Sequence, residues 1–161
     1  MPKVKLKKDR PTPEIRTGSA ETPAVVGRRD KFDPARQAWL SLVFWLSFGL
    51  LWEGLIGFRV SIYLTDTVRR ELFRLAHVHG TVLSLVLMLA VIWVDGYLIA
   101  RPMPAIRALQ IGSVLMPLGF LLGGIWHYES DPSVLVFLAP IGGLFVIFGI
   151  ITITLSNRKS Q

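Results

Sequence analysis

Histidine and glutamate are the residue types in this chain best suited to bind a metal ion, and they lie within or at the edges of long apolar runs. His77 and His79 stand in the sequence "LAHVHG", where one apolar run begins, and His127 stands where another ends. Glu53 lies inside a third run. Imidazole and carboxylate are ligands of zinc, copper and iron, and two histidines from neighbouring helices can hold haem. The candidate ligands of haem or of Fe, Cu or Zn are therefore His77, His127 and Glu53, with His79 as a less favourably placed fourth.

Helical phase separates the two neighbouring histidines. At about 100° per residue, His79 points about 200° away from His77, so the two rings cannot bind one ion on a regular helix. The polar residues that share the face of His77 include Arg70, Arg74, Thr81 and Ser84. We interpret this stripe as facing the protein interior, where the two arginines could bind haem propionates or an anionic substrate. The alternative is that His77 only makes a hydrogen bond at the membrane interface. The hydroxyls of Thr81 and Ser84 would then only bond neighbouring helices.

Glu53 and His127 also have structural alternatives. A carboxylate at the centre of a membrane span costs about 2.5–3.5 kcal/mol, which favours a function for Glu53, although an ion pair with Arg59 or Arg74 would also retain it. For His127 the alternative is a place in the interfacial belt beside Trp126. Small residues predict close helix packing, and Glu53 is in phase with Gly49 and Gly57. The glycines predicted to pack are Gly49, Gly57, Gly119 and Gly123.

The pentapeptide "AHVHG", at the start of an apolar run, resembles the histidine-bearing helices of haem–copper oxidases and related nitric-oxide-response membrane proteins. The similarity covers five of 161 residues. The further histidines of those families have no counterparts at suitable depths here, so no residue role is taken from the resemblance. The chain contains no nucleotide-binding loop, hydrolase elbow or metalloprotease motif, which favours a protein that is not an enzyme.

Four apolar runs must position these residues. The chain is 52% hydrophobic with a mean hydropathy of +0.50, which is too apolar for a soluble domain of this size. Each run reaches the roughly 20 residues that cross a bilayer, and backbone groups in lipid must bond within a helix. The sequence therefore predicts an all-α integral membrane protein, a four-helix transmembrane bundle over residues 35–158. The predicted spans are 37–58, 75–100, 105–126 and 133–155, with an amphipathic outer extension over 64–76.

Charge predicts the tail and the orientation. Residues 1–34 are rich in Lys, Arg and Pro without an apolar period, which is typical of a disordered tail. Ten of the eighteen Lys and Arg lie in the first 36 residues, which predicts cytoplasmic termini, most simply in a bacterial inner membrane. In a membrane protein such a tail contacts anionic lipid, so nucleic acid is not expected as a partner. Asp66 and the Asp131–Pro132 pair predict the starts of the second and fourth helices.

These patterns leave three functional hypotheses. The first is a small redox-associated membrane protein that binds metal or haem through a histidine and carboxylate cluster at the outer face. The second is a structural or accessory subunit of a membrane complex, in contact with other membrane subunits or with further copies of itself. The third is a small transporter or a proton or ion pathway. The absence of cysteine excludes disulfides, zinc ribbons and thiol catalysis from all three.

Overall fold

The chain folds into four long helices. The computed structural model describes residues 33–61, 65–98, 100–127 and 131–156, and all regular secondary structure within them is helical. Residues 1–32 of the predicted tail lie outside the described residues. All four helical segments are long and apolar enough to cross a membrane, as the sequence predicted. They are α1 (Pro34–Gly57), α2 (Thr67–Tyr97), α3 (Met103–Ile125) and α4 (Leu138–Leu155), and a 3-10 turn over Val134–Phe137 leads into α4.

Side-chain caps mark the starts of α1, α2 and the 3-10 turn, whereas α3 begins without one. Asp66 caps α2 by accepting the backbone N–H of Arg69 at 2.9 Å, which confirms the predicted start. The predicted start at Asp131–Pro132 was wrong by two residues. Ser133 is the cap instead, because its hydroxyl accepts the backbone N–H of Leu135 at 3.3 Å and opens the 3-10 turn.

A Schellman motif ends α1, with an unusual residue at its turn. The N–H of Arg59 donates to the carbonyl of Ile56 at 3.0 Å, and the N–H of Val60 donates to the carbonyl of Leu55 at 3.0 Å. Arg59 has a φ of 53°, the left-handed conformation that glycine usually supplies at this position. The motif satisfies the last carbonyls of α1, at the expense of strain in a residue that has a Cβ atom.

The second helix is longer than a bilayer requires. It runs unbroken through 31 residues, which corresponds to about 46 Å against a hydrocarbon thickness of about 30 Å. The described part of the predicted extension, residues 65–76, is the cap and first turns of α2 rather than a separate segment. These turns therefore project past the apolar layer if the rest of α2 spans it.

The helices pack as an antiparallel row in chain order. α3 makes its most extensive contacts with α4 and then with α2, whereas α1 packs mainly on α2. In the described part of the chain, α1 and α4 make no contact with each other. Because neighbours run in opposite directions, the starts of α1 and α3 and the ends of α2 and α4 share one side. We call this the tail side and the opposite one the far side.

A glycine seam joins α3 to α4. A Cβ atom on Gly112 would come within 2.6 Å of the carbonyl oxygen of Gly142, and one on Gly142 would come within 2.9 Å of the Cα of Met116. Gly119 lies against the backbone of Ala139 in the same way. Such contacts between backbones hold helices together in lipid, where apolar side chains gain little by leaving one apolar surface for another.

Candidate functional site

The far side carries a cluster of charged groups that ties the start of α2 to the end of α3. The ring Nε2 of His127 lies 2.7 Å from Oδ2 of Asp66. Arg69, one turn into α2, has its Nε 3.5 Å from the same oxygen and donates to the carbonyl of Gly124 at 3.3 Å. The side chain of His127 is only 9% exposed, so this pair is shielded from solvent. We call Asp66, Arg69 and His127 the far-side cluster.

Hydrogen bonds outweigh burial at Asp66. Burial alone would raise the pKa of this carboxyl group. The backbone N–H of Arg69, the hydrogen bond from His127 and the positive charges of both side chains favour the carboxylate, and the net effect is a lowered pKa. The remaining ring nitrogen of His127, Nδ1, is buried and has no hydrogen-bond partner among the described residues. The cluster therefore stabilises the Asp66 carboxylate through hydrogen bonds, and Nδ1 of His127 takes no part in them.

His77 joins α2 to α1 and not to the far-side cluster. Its Nδ1 lies 2.7 Å from the backbone carbonyl oxygen of Trp45. The imidazole lies flat against Gly49, where a Cβ atom would overlap the ring. One turn further along α2, Gly80 receives the indole of Trp45 in the same manner. His77 thus faces the protein interior, and its visible role is to hold two helices together.

His79 meets a different helix. Its Nδ1 lies 2.8 Å from the carbonyl of Leu75 in the preceding turn. Its ring packs on Phe120 of α3, with centroids 5.0 Å apart at an angle of 36°. The opposite phases of the two histidines therefore have a simple meaning, because α2 lies between α1 and α3 and presents one ring to each.

Glu53 points away from the other helices. It is exposed, and among the described residues no cation lies within ion-pair distance of its carboxylate. Neither suggested partner is there, since the side chain of Arg74 pairs instead with Glu71 at 2.7 Å. Gly57 also faces outward, with open space where a Cβ atom would stand. The shared phase of Glu53 and Gly57 thus marks an outer face of α1.

The remaining residues of the predicted stripe lie along α2 in varied surroundings. Ser84 is 1% exposed and bonds the hydroxyl of Ser41 on α1 at 2.8 Å. Thr81 has a buried hydroxyl oxygen without a partner in the described part of the chain. Arg70 is half-buried near the far-side cluster, and Arg74 is exposed. Of the other predicted packing glycines, Gly119 packs on α4 and Gly123 packs on Val136 of the 3-10 turn.

The described residues give no support to the metal or haem site that the sequence suggested. Within the described residues, no group of three or more His, Asp or Glu could hold a metal ion. His127 meets α2 at Asp66, eleven residues before His77, which places the two histidines about 16 Å apart along the helix axis. Axial haem ligands and shared metal ligands must lie within a few ångströms of one centre, so these two histidines serve separate contacts.

One polar contact was not anticipated from the sequence. Gln37 at the start of α1 donates to the carbonyl of Gln110 on α3 at 2.9 Å, and Gln110 donates back to the amide oxygen of Gln37 at 3.0 Å. An amide within an apolar run was the available signal, because a buried amide in lipid needs a partner on another helix.

Comparison with protein-family models, with curated proteins and with solved structures finds no match to this chain.

Proposed function

We propose that this protein is a non-catalytic subunit of a larger membrane assembly and that it binds its partner through the outward face of α1. The proposal is supported above all by Glu53, a carboxylate within an apolar helix that faces away from every other helix described here. The residues on this outward face, at successive helical turns, are Trp39, Val43, Leu46, Leu50, Glu53 and Gly57.

The position of Glu53 favours a protein partner over lipid. The carboxylate lies four residues from the end of α1, which is about 6 Å along the axis. A charged group at that depth is less costly than at the bilayer centre, and a hydrogen-bond donor on a partner helix would stabilise it further. The neighbouring Gly54 and Gly57 leave open space on the surface, and small residues allow another helix to approach closely.

The open row of helices supports the same function. α1 is joined to the rest of the protein mainly through α2, and its inner face bonds His77 and Ser84 of α2 and Gln110 of α3. The histidines that suggested chemistry are occupied in helix–helix and ion-pair contacts. What remains exposed on α1 is suited to recognition and not to a reaction.

Site-directed crosslinking tests the proposal cleanly because the chain contains no cysteine. A benzophenone maleimide is attached to a Leu50→Cys variant in native membranes and activated by light. Leu144→Cys on α4 is the matched control, since the two leucines are similarly exposed, at 73% and 68%. We expect one discrete protein adduct from position 50, absent from position 144 and weakened several-fold by Glu53→Gln.

Two results would contradict this proposal. The first is adducts with lipid alone at both positions in native membranes. The second is an adduct of about twice the 18.0 kDa monomer mass that contains only this chain, which would indicate self-association and not an accessory role.

The metal or haem hypothesis retains one favourable observation, the buried Nδ1 of His127, which has no hydrogen-bond partner among the described residues. A redox role through this atom predicts stoichiometric metal or a Soret band in purified protein, lost in His127→Ala and kept in His79→Ala. The transport hypothesis is less favoured, because its best carboxylate, Glu53, faces outward. Proton flux into liposomes that Glu53→Gln abolishes would support transport over the accessory role.

Orientation is part of the proposal. We place both termini in the cytoplasm, of a bacterial inner membrane in the simplest case, because ten of the eighteen basic residues lie in the first 36. Reporter enzymes fused at either end test this, and an active periplasmic reporter at either terminus would contradict it.

A further inference from the structure

A groove between α1 and α3 has apolar walls and a basic mouth. It encloses about 530 Å³ and begins beside Arg36 at the tail side. Its walls are formed by Leu40 and Phe44 of α1 and by Val114 and Leu118 of α3. The volume lies within the roughly 300–1,000 Å³ typical of small-molecule sites.

The groove matches the depth of one membrane leaflet. Between Arg36 and Trp45 its lining rises about 14 Å along α1, and the capping residue Asp33 stands at the mouth before the helix. Half of a typical hydrocarbon core is about 15 Å. A single acyl chain that enters from the tail side would therefore run the length of the groove and end near the bilayer centre.

Arg36 lines the mouth of the groove, and Arg107 lies on α3 toward the tail side of the lining residues Val114 and Leu118. Gln37 donates to the carbonyl of Gln110 at 2.9 Å, which sets the start of α1 beside this part of α3. Arg36 precedes Gln37, and Arg107 lies one turn before Gln110 toward the tail side, on the helical face that carries Val114. Both arginines are exposed, so both guanidinium groups reach the headgroup region.

The acidic residue at the mouth already has a structural role. Asp33 accepts the backbone N–H of Ala35 at 3.0 Å and caps α1. Its charge offsets the positive end of the helix dipole. With Arg36 and Arg107 set against this one carboxylate, the charge balance favours an anion.

A second groove on the same side provides an internal comparison. It encloses about 470 Å³ beside Trp93 and Tyr97 of α2 and Ile150 and Thr154 of α4, and none of the described residues that line it is charged. The two grooves thus have similar volume and apolar character and differ in the charge at their mouths.

We propose that the groove between α1 and α3 binds one anionic glycerophospholipid of the tail-side leaflet, with its phosphate between Arg36 and Arg107. One acyl chain lies against Phe44 and Val114. Basic pockets between membrane helices are known to select anionic headgroups, and the uncharged groove provides no such selection. The inference does not depend on the accessory role, since this groove lies beside the outward face of α1 and leaves that face free.

Native mass spectrometry of the full chain, delipidated in neutral detergent, tests the selectivity. Phosphatidylglycerol and phosphatidylcholine with identical acyl chains are titrated separately. We expect one phosphatidylglycerol to bind about 30-fold more tightly, which is about 2 kcal/mol for two arginines. The double variant Arg36→Gln/Arg107→Gln should lose this preference. Arg158→Gln, which removes a charge after α4 in the chain, should retain it.

Photocrosslinking locates the bound lipid independently of the variants. Phosphatidylglycerol with a diazirine in the acyl chain should label Phe44, Val114 or Leu118 in the unmodified protein. Equal affinity for the two lipids would overturn the proposal, and so would equal effects of the double variant and Arg158→Gln. Labelling confined to the groove beside Trp93 and Tyr97 would overturn it as well, even if the double variant proved unable to fold.

Discussion

Replacing Gly49 by alanine should force the His77 imidazole out of its place between α1 and α2. A Cβ atom built on Gly49 overlaps the ring and comes within 2.7 Å of Nε2. The ring cannot move without breaking the 2.7 Å hydrogen bond from Nδ1 to the carbonyl of Trp45. The substitution therefore exchanges a fitted contact for an overpacked one.

The magnitude follows from three opposing effects. Overpacking a fitted interior costs about 1–3 kcal/mol. Loss of an interhelical hydrogen bond in a membrane protein costs about 0.6 kcal/mol. Alanine gains about 1 kcal/mol over glycine inside a helix. Gly49→Ala should therefore destabilise the protein by about 0.6–2.6 kcal/mol. In a His77→Ala background only the last effect remains, so the same change should stabilise by up to about 1 kcal/mol.

A double-mutant cycle measures this reversal of sign. The free energy of unfolding of the four proteins is obtained by titrating detergent-solubilised protein with sodium dodecyl sulfate and following tryptophan fluorescence. Gly54→Ala is the control, because nothing lies within 4 Å of a Cβ atom there and it should stabilise both backgrounds alike. Equal destabilisation by Gly49→Ala in both backgrounds would refute the structural role assigned to His77.

Three further outcomes follow from other contacts. Gly142→Ala should destabilise the protein by about 1–3 kcal/mol because the new Cβ meets the α3 backbone. Gly143→Ala, with its nearest neighbour 4.0 Å away, should be neutral or stabilising in the same unfolding titration, and equal losses would contradict the glycine seam. Asp66 has a pKa lowered from 3.8, so the stability that its charge contributes is present above that pH and is lost as pH falls through the folded-state value. Asp66→Asn keeps a capping side chain and should reduce this loss of stability at acid pH, because the carboxylate is gone. An unchanged loss would contradict the role of the Asp66 charge. Arg59→Gly should raise stability by about 1 kcal/mol by removing the left-handed strain, measured as a higher melting temperature in detergent, and no gain would argue against that conformation.

The sequence was informative wherever one helix alone decides the outcome. Hydrophobic runs of sufficient length predict four helices, because a backbone in lipid must satisfy its own hydrogen bonds. The cap at Asp66 could also be predicted, because it depends on a contact with a residue only three positions away in the same helix. Ser133 shows how local alternatives compete, because two nearby side chains could both cap the last helical segment and only one does.

Helical phase alone predicted the direction in which each side chain points, but not which helix or lipid surface lies in that direction. His77 and His79 were correctly separated, but whether each faces lipid, another helix or a ligand depends on which helices lie on either side of α2. Glu53 was expected near the interior because it shares its phase with Gly49. The wheel positions differ by enough that Gly49 meets α2 while Glu53 turns outward.

Only the tertiary structure decided which distant residues meet. His127 and His77 share one side of the predicted topology, yet the axial offset between α2 and α3 sends His127 to Asp66 and leaves His77 to α1. That offset is set by the glycine contacts and backbone carbonyls of several helices together, and no single helix encodes it. The amino-acid sequence by itself therefore determined that the chain forms four membrane-length helices with histidines near one end. The packing of those helices determined that the histidines lie in separate contacts, because rotation and offset are properties of helix pairs.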